Sequence, residues 1–204
     1  MTNDQSLIEA VEQADSPALL IAAVRKLANA RLEAGIPTLI AVLGYNNPGA
    51  ALAAVEGLIQ MGATAVEPLL EKLDGYNYGA RAYAIRALAA IADPRALEVL
   101  HTAATSDFAP SVRRAAAKGL GNLHWHQLNA DRIQPAREKA FHTLQQVCQD
   151  VEWSIRYAAV AGLHSLASQT DLKDQIQTHL QEMLASESDR AVRARVQLAM
   201  VHSL

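Results

Sequence analysis

Thirteen arginines against five lysines, with five tyrosines and two tryptophans, carry most of the recognition chemistry of this 204-residue chain. A guanidinium can bind a carboxylate through two parallel hydrogen bonds, and an aromatic face can stack on a flat conjugated ring. Tyr45, Tyr76, Tyr78, Tyr83, Trp125, Trp153 and Tyr157 all fall at predicted turns or helix starts. His124 and His126 flank Trp125 at i, i+2 spacing, which could serve a metal on a strand but needs more ligands than nearby segments offer. Other readings of the pair are a partner-docking or acid–base element, or a half-buried structural loop. They are the candidate catalytic groups, and no metal is expected. Cys148 is the single cysteine, with no His beside it to activate a thiolate, so it reads as a buried structural residue rather than a covalent carrier.

Helical hairpins have to position these groups. The stretch 75–91 opens on Gly-Tyr-Asn, and then Ala84, Ile85, Leu88 and Ile91 form one apolar stripe, because steps of three and four return to the same helix face. The phrase recurs. Ala54, Val55 and Leu58 follow Gly44-Tyr45-Asn46, and further copies run over 112–120, 155–163 and 192–200, with a worn copy at Ala23, Val24 and Leu27. Each follows another apolar helical segment, so the repeating object is a helix pair, and internal repetition at this period signals a solenoid.

Taken in order, helices are predicted over 6–14 and 17–31, with Asp15 or Ser16 as cap and Pro17 in the first turn of the second. Pairs follow at 36–43 with 49–61, 65–73 with 80–91, and 95–105 with 111–123. The period slips at His124 to Pro135, which reads as an inserted loop. After it, 136–149 pairs with 153–167 and 172–185 with 190–203. The expected fold is an all-α superhelix of about five short repeats. As one domain it has an N-terminal cap over 1–35, repeats over 36–123, the insertion over 124–135, and repeats with a C-terminal cap over 136–204.

Composition narrows the class. Half the residues are hydrophobic, yet aromatics make up only 4%, so much of the apolar share is alanine, which favours helices and close helix approach. A net charge of −3 gives no reason to expect nucleic acid. No apolar run reaches the roughly 18 residues of a membrane span, and Met1 to Gln5 lack a basic leader region. A lone cysteine fits a reducing compartment, so a cytoplasmic location is expected.

Arg81, Arg113, Arg156 and Arg193 occupy one position of the inner-helix motif, preceded by Asp74, Asp107, Asp150 and Asp189, a pattern able to bridge one repeat to the next. Such Val-Arg-x-x-Ala-Ala phrases resemble short HEAT repeats of the phycobilisome lyase kind. The phrases at 31–40, 44–49, 74–82, 123–128 and 153–158 resemble, more narrowly, the F-type (beta) subunit of heterodimeric E/F phycocyanobilin lyases of cyanobacteria. The two Gly-Tyr-Asn turns and the His-Trp-His insertion are the more specific markers.

That resemblance implies a lyase that, with an E-type partner, attaches phycocyanobilin through a thioether to a cysteine of the phycocyanin α subunit. The bilin is then the substrate, and no resident cofactor is implied. A bilin has two propionates and a conjugated face, so Tyr45, Tyr76, Tyr78, Arg81, Arg86, Arg113, Arg114, Trp125, Trp153, Arg156 and Tyr157 become candidates for a bilin- or partner-facing row, although the arginines also read as an inter-repeat ladder. F-type relatives that also isomerise the pigment carry a His-Cys pair, which is absent here. The rival functions are a non-catalytic adaptor that binds phycobiliproteins and a factor that detaches their pigment or degrades phycobilisomes. A HEAT-type iron oxygenase would need His-Glu pairs, and the chain has none.

Overall fold

The computed structural model describes residues 3–73 and 78–201. Among these every regular element is a helix. Contacts divide the chain into two compact units, Met1–Ile91 and Ala92–Leu204, each with its own core.

The first unit contains α1 (Asn3–Glu12), α2 (Pro17–Ala30), α3 (Ile36–Val42), α4 (Pro48–Met61), α5 (Val66–Glu71) and α6 (Tyr78–Ile91). The even-numbered helices form an inner layer in which α4 packs against both α2 and α6, while α1, α3 and α5 cover them from outside. Local chemistry sets the boundaries. Ser16 Oγ accepts a hydrogen bond from the Leu19 N–H at 3.3 Å, and Asn47 Oδ1 accepts one from Ala50 N–H at 3.1 Å. In both cases a proline follows at the first helical position, where its missing N–H costs nothing. Gly62 closes α4 at φ 62°, a left-handed conformation suited to glycine. Short 3-10 turns at Glu33–Gly35 and Gly62–Ala65 lead into α3 and α5.

The second unit contains α7 (Leu97–Ser106), α8 (Pro110–Leu120), α9 (Ala130–Val147), α10 (Trp153–Ala167), α11 (Lys173–Ser186) and α12 (Arg190–Val201). Here α10 packs against α8 and α12, with α7, α9 and α11 outside. The inner layer is close because it is made of alanine and glycine: Ala116, Ala117 and Ala159 are fully buried. A Cβ placed on Gly121 would lie 2.0 Å from the carbonyl oxygen of Gly162, so only glycine fits there.

The segment read as a loop over 124–135 is partly helical. A 3-10 turn at Trp125–Gln127 is followed by α9, which begins at Ala130 and carries Pro135 inside it. Asp131 in the first turn suits the positive end of the helix, and the carbonyl that Pro135 cannot bond lies on an exposed turn open to water. The stretch Pro48–Glu71 is apolar enough by length to suggest a membrane span, but its continuous helix, α4, has 14 residues and stops at Gly62. That falls short of the ~20 residues needed to cross a bilayer.

Gly121→Ala should lower stability by about 3 kcal/mol, because the new methyl must push two inner helices apart. Urea unfolding followed by circular dichroism measures it, and an unchanged midpoint would contradict the close packing.

Candidate functional site

In the first unit an open groove of about 300 Å³ is lined by Leu43, Gly44, Tyr45, Asn46, Pro48, Gly79 and Tyr83. The α3–α4 turn builds one wall. Tyr45 N–H donates to the Val42 carbonyl at 3.0 Å, and Asn47 N–H donates to the Tyr45 carbonyl at 2.7 Å. Asn47 Nδ2 donates to the Pro17 carbonyl at 3.2 Å, which ties this turn to the start of α2. Tyr45 is left 44% exposed. The other wall is α6, whose Tyr83 is half-buried and whose exposed Arg86 lies three residues further on, a neighbour on the helix surface. Tyr83, expected like the other rings at a turn or helix start, is not in the predicted row, and it sits inside α6 rather than at its start. Tyr78 and Arg81 are half-buried in the first turn of α6, and Tyr76 lies outside the described residues.

In the second unit, arginines tie the turns together. Arg113 Nη1 donates to the carbonyls of Asp107 (2.8 Å) and Phe108 (3.3 Å), while its Nε reaches Asp150 Oδ2 at 2.8 Å. Arg156 repeats this one helix pair later, donating to the carbonyls of Asp150 (2.9 Å) and Val151 (3.2 Å) and forking onto Glu187 at 2.7 and 2.9 Å. Arg193 donates to the carbonyls of Leu184 and Glu187. Each acid also closes its own turn: Asp107 accepts from Ala109 N–H, Asp150 from Glu152 N–H, and Glu187 from Asp189 N–H, at 2.9, 2.9 and 2.8 Å. The acid of the third turn is therefore Glu187. Asp189 instead caps α12, accepting from the N–H groups of Ala191 and Val192.

This geometry revises the predicted row. The guanidinium groups of Arg113 and Arg156 are occupied by carbonyls and carboxylates of the turns, with side chains only 15% and 17% exposed, so they position neighbours rather than meet a ligand. Trp125 is also not a surface ring. It is 2% exposed, buried beneath the 3-10 turn, because the His124 N–H donates to the Ala92 carbonyl at 2.8 Å and pulls the segment inward. Trp153, Tyr157 and Arg114 do remain open to solvent.

His124 and His126 are exposed, their ring centroids 5.8 Å apart. Near them, Asp93 is buried and accepts from the Nε and Nη2 of Arg95 at 2.9 and 2.7 Å, which holds its carboxyl below its ordinary range against the opposing effect of burial. Among the described residues, no three His, Cys, Asp or Glu side chains come together in a way that could hold a metal ion. Cys148 is buried, and burial, followed by the Glu187 charge, pushes its thiol up to about 12. It stays a thiol near neutral pH and supplies no nucleophile.

Helix pairs of this kind define the class, and residues 66–138 match the HEAT repeat family model. Over nearly its full length the chain is similar to the phycocyanobilin lyase subunit beta of Nostoc sp. strain PCC 7120, with 60% identity over 98% of both chains. It is 51% identical to the phycocyanin alpha phycocyanobilin lyase CpcF of Synechocystis sp. strain PCC 6803, over 94% of this chain and 90% of that one. Among solved structures it is similar to one described as the complex of CpcE and CpcF of phycocyanin lyase from Nostoc sp. PCC7120, at a TM-score of 0.78 and 63% identity over 81% of this chain and 98% of that one. The chain belongs to the phycocyanobilin lyase beta-subunit family.

Three outcomes follow from the site chemistry. In the folded protein Cys148 should resist iodoacetamide at pH 8 and react only on unfolding, as mass spectrometry would show. The Glu187 carboxyl is held below its ordinary value of 4.5, chiefly by the Arg156 hydrogen bonds. Its stabilisation is therefore complete above that value and declines as pH falls through the depressed one. Glu187→Gln should flatten the acid limb of a urea-stability profile, and Arg156→Ala should cost about 2–4 kcal/mol at neutral pH by stranding the carboxylate.

Proposed function

We infer that this chain, paired with an E-type subunit, attaches phycocyanobilin through a thioether to a cysteine of the phycocyanin α subunit. The observation that carries this reading is the 60% identity to a phycocyanobilin lyase beta subunit across the whole chain. The site chemistry agrees with it. The reaction is an addition: the acceptor sulfur bonds to the ethylidene carbon of ring A, the ring-A double bond is consumed, and the thiol proton ends on carbon. There is no leaving group and no net redox change. The nucleophile belongs to the acceptor, in keeping with a buried Cys148 whose thiol does not ionise. What remains for the lyase is to hold the pigment and present one face of it, which is catalysis by proximity and orientation.

The groove beside Tyr45 and Tyr83 is our assignment for one end of the pigment. Its 300 Å³ is at the lower limit of small-molecule sites, ~300–1,000 Å³, and takes a ring or two of a tetrapyrrole rather than all four. The tyrosine faces suit a conjugated ring, and Arg86 suits a propionate. The pigment is a substrate in this scheme, with no resident cofactor, and the rest of it is covered by the partner. We place the reaction in the cytoplasm, where a free cysteine persists.

The test is co-expression with an E-type subunit, a bilin source and the acceptor α subunit, scored by covalent fluorescence on the acceptor. Transfer is expected with both subunits and is lost without either. Binding of the acceptor with no covalent product would instead favour an adaptor. Tyr83→Ala with Arg86→Ala should weaken bilin binding by about tenfold or more with helicity unchanged, a loss of at least ~1.4 kcal/mol. Unaltered affinity would remove the groove from the mechanism.

A further inference from the structure

The same ladder that occupies Arg113 and Arg156 brings apolar side chains together on one edge of the second unit. Phe108 and Val151 stand at corresponding places in successive turns, two residues before Pro110 and Trp153, which open α8 and α10. Their backbone carbonyls are held by Arg113 and Arg156, and Arg113 also grips Asp150, the residue before Val151. The two turns are therefore side by side. Their side chains point away from the protein: Phe108 is 75% and Val151 89% exposed, with Trp153 at 49% and Tyr157 at 40% beside them. Exposed Arg114 and Glu152 stand at the margin.

We propose that this edge, with Phe108 and Val151 at its crest and Trp153 and Tyr157 on its flank, is the face on which the E-type subunit seats. The proposal rests on the reading that the chain works as an E/F pair. Three things favour that occupant. A relative 63% identical to this chain was solved in complex with its CpcE partner, so the family fold carries a protein interface. The composition of the edge, two large aromatics and a phenylalanine with arginine at the rim, is that of an interface centre rather than of a washed surface. Finally, an acceptor protein must leave after each turnover, whereas an apolar crest this open is best covered by a subunit that stays, since lasting interfaces are the more hydrophobic ones. Fully buried aromatics contribute 150–250 Å² each, so the exposed parts of these four side chains supply roughly 300–500 Å², about half of the ~800 Å² per partner of a standard interface. The ladder holds the turns in place before binding, so little ordering cost opposes association.

The experiment measures heterodimer affinity by isothermal titration of the separately purified subunits. Phe108→Glu with Val151→Glu should weaken association at least about 100-fold while helicity and the melting temperature stay at wild-type values, because both side chains lie outside the core. If the double variant folds poorly, Val151→Lys alone, at the most open position, should still weaken association at least tenfold. The groove variant Tyr83→Ala with Arg86→Ala should pair normally. Affinity within threefold of wild type for folded edge variants would overturn the proposal, as would variants that pair normally and lose only the acceptor. A wild-type pair that forms but transfers no pigment would sink the functional reading while leaving this affinity measurement valid.

Discussion

An arginine that serves two turns at once is the interaction on which the second unit depends. One end of its guanidinium closes off carbonyls where an outer helix gives way to an inner one, and the other end grips a carboxylate in the next turn along. A lysine could not do both, because a single ammonium lacks the rigid fork of donors that spans two groups. The carboxylate is shared too, since it already accepts from a backbone N–H of its own turn. Each pair therefore fixes the geometry of the following one, and the turns are held in a definite register rather than left as free loops. The benefit comes from hydrogen bonds that satisfy buried or half-buried groups on both sides, more than from the charge pair itself.

Close packing of the inner layers explains where the rings went. With alanine and glycine along the contacts of α8 and α10, and a backbone oxygen only 2.0 Å from where a Cβ of Gly121 would be, no large ring fits between inner helices. Several aromatic side chains instead stand at turns and helix starts, as with Tyr45 and Trp153, or in the insertion, as with the buried Trp125, while Phe141 is buried in the outer helix α9. The scarcity of aromatics and the exposure of Tyr45, Trp153 and Tyr157 are thus two results of the same constraint. A fold that cannot use tyrosine in its core has tyrosine available for recognition.

The helix pairs are legible because caps and breakers stand where the physics needs them: Ser16-Pro17 begins a helix as read, while Asn47-Pro48 starts α4 one residue ahead of the expected 49 and Gly62 closes it just past the expected 61. The insertion departs from its expected loop for a related reason. Pro135 looks like a helix start, yet it lies inside α9, because the exposed turn around it lets water take the carbonyl it leaves unbonded. The burial of Trp125 had no periodic signal, as it depends on a backbone hydrogen bond from His124 to Ala92, far away in sequence. The sequence does not separate Glu187 from Asp189, since both stand before Arg193, and only the backbone shows which one faces Arg156. Phe108 and Val151 carry no sequence signal, since a single apolar residue in a turn is ordinary; their significance comes from the ladder that sets them next to each other.

A thiol addition to a conjugated pigment asks little of general acids or bases if the reactants are held well. Well-oriented intramolecular reactions reach effective molarities equivalent to ~7–11 kcal/mol of the barrier, enough to make orientation the main contribution. Orientation works only if the surface that holds the pigment does not yield. In the groove proposed for the pigment, the turn carrying Tyr45 is stiffened through Asn47, whose side chain donates to the Pro17 carbonyl and accepts from Ala50, while the backbone of the turn is closed by bonds of 3.0 and 2.7 Å. The wall opposite is α6, a continuous helix with Ala84, Ile85 and Leu88 buried behind Tyr83. A groove with one wall tied by an asparagine and the other backed by a packed helix presents its tyrosines at fixed positions, and the chemistry can then be left to the thiol that the acceptor brings.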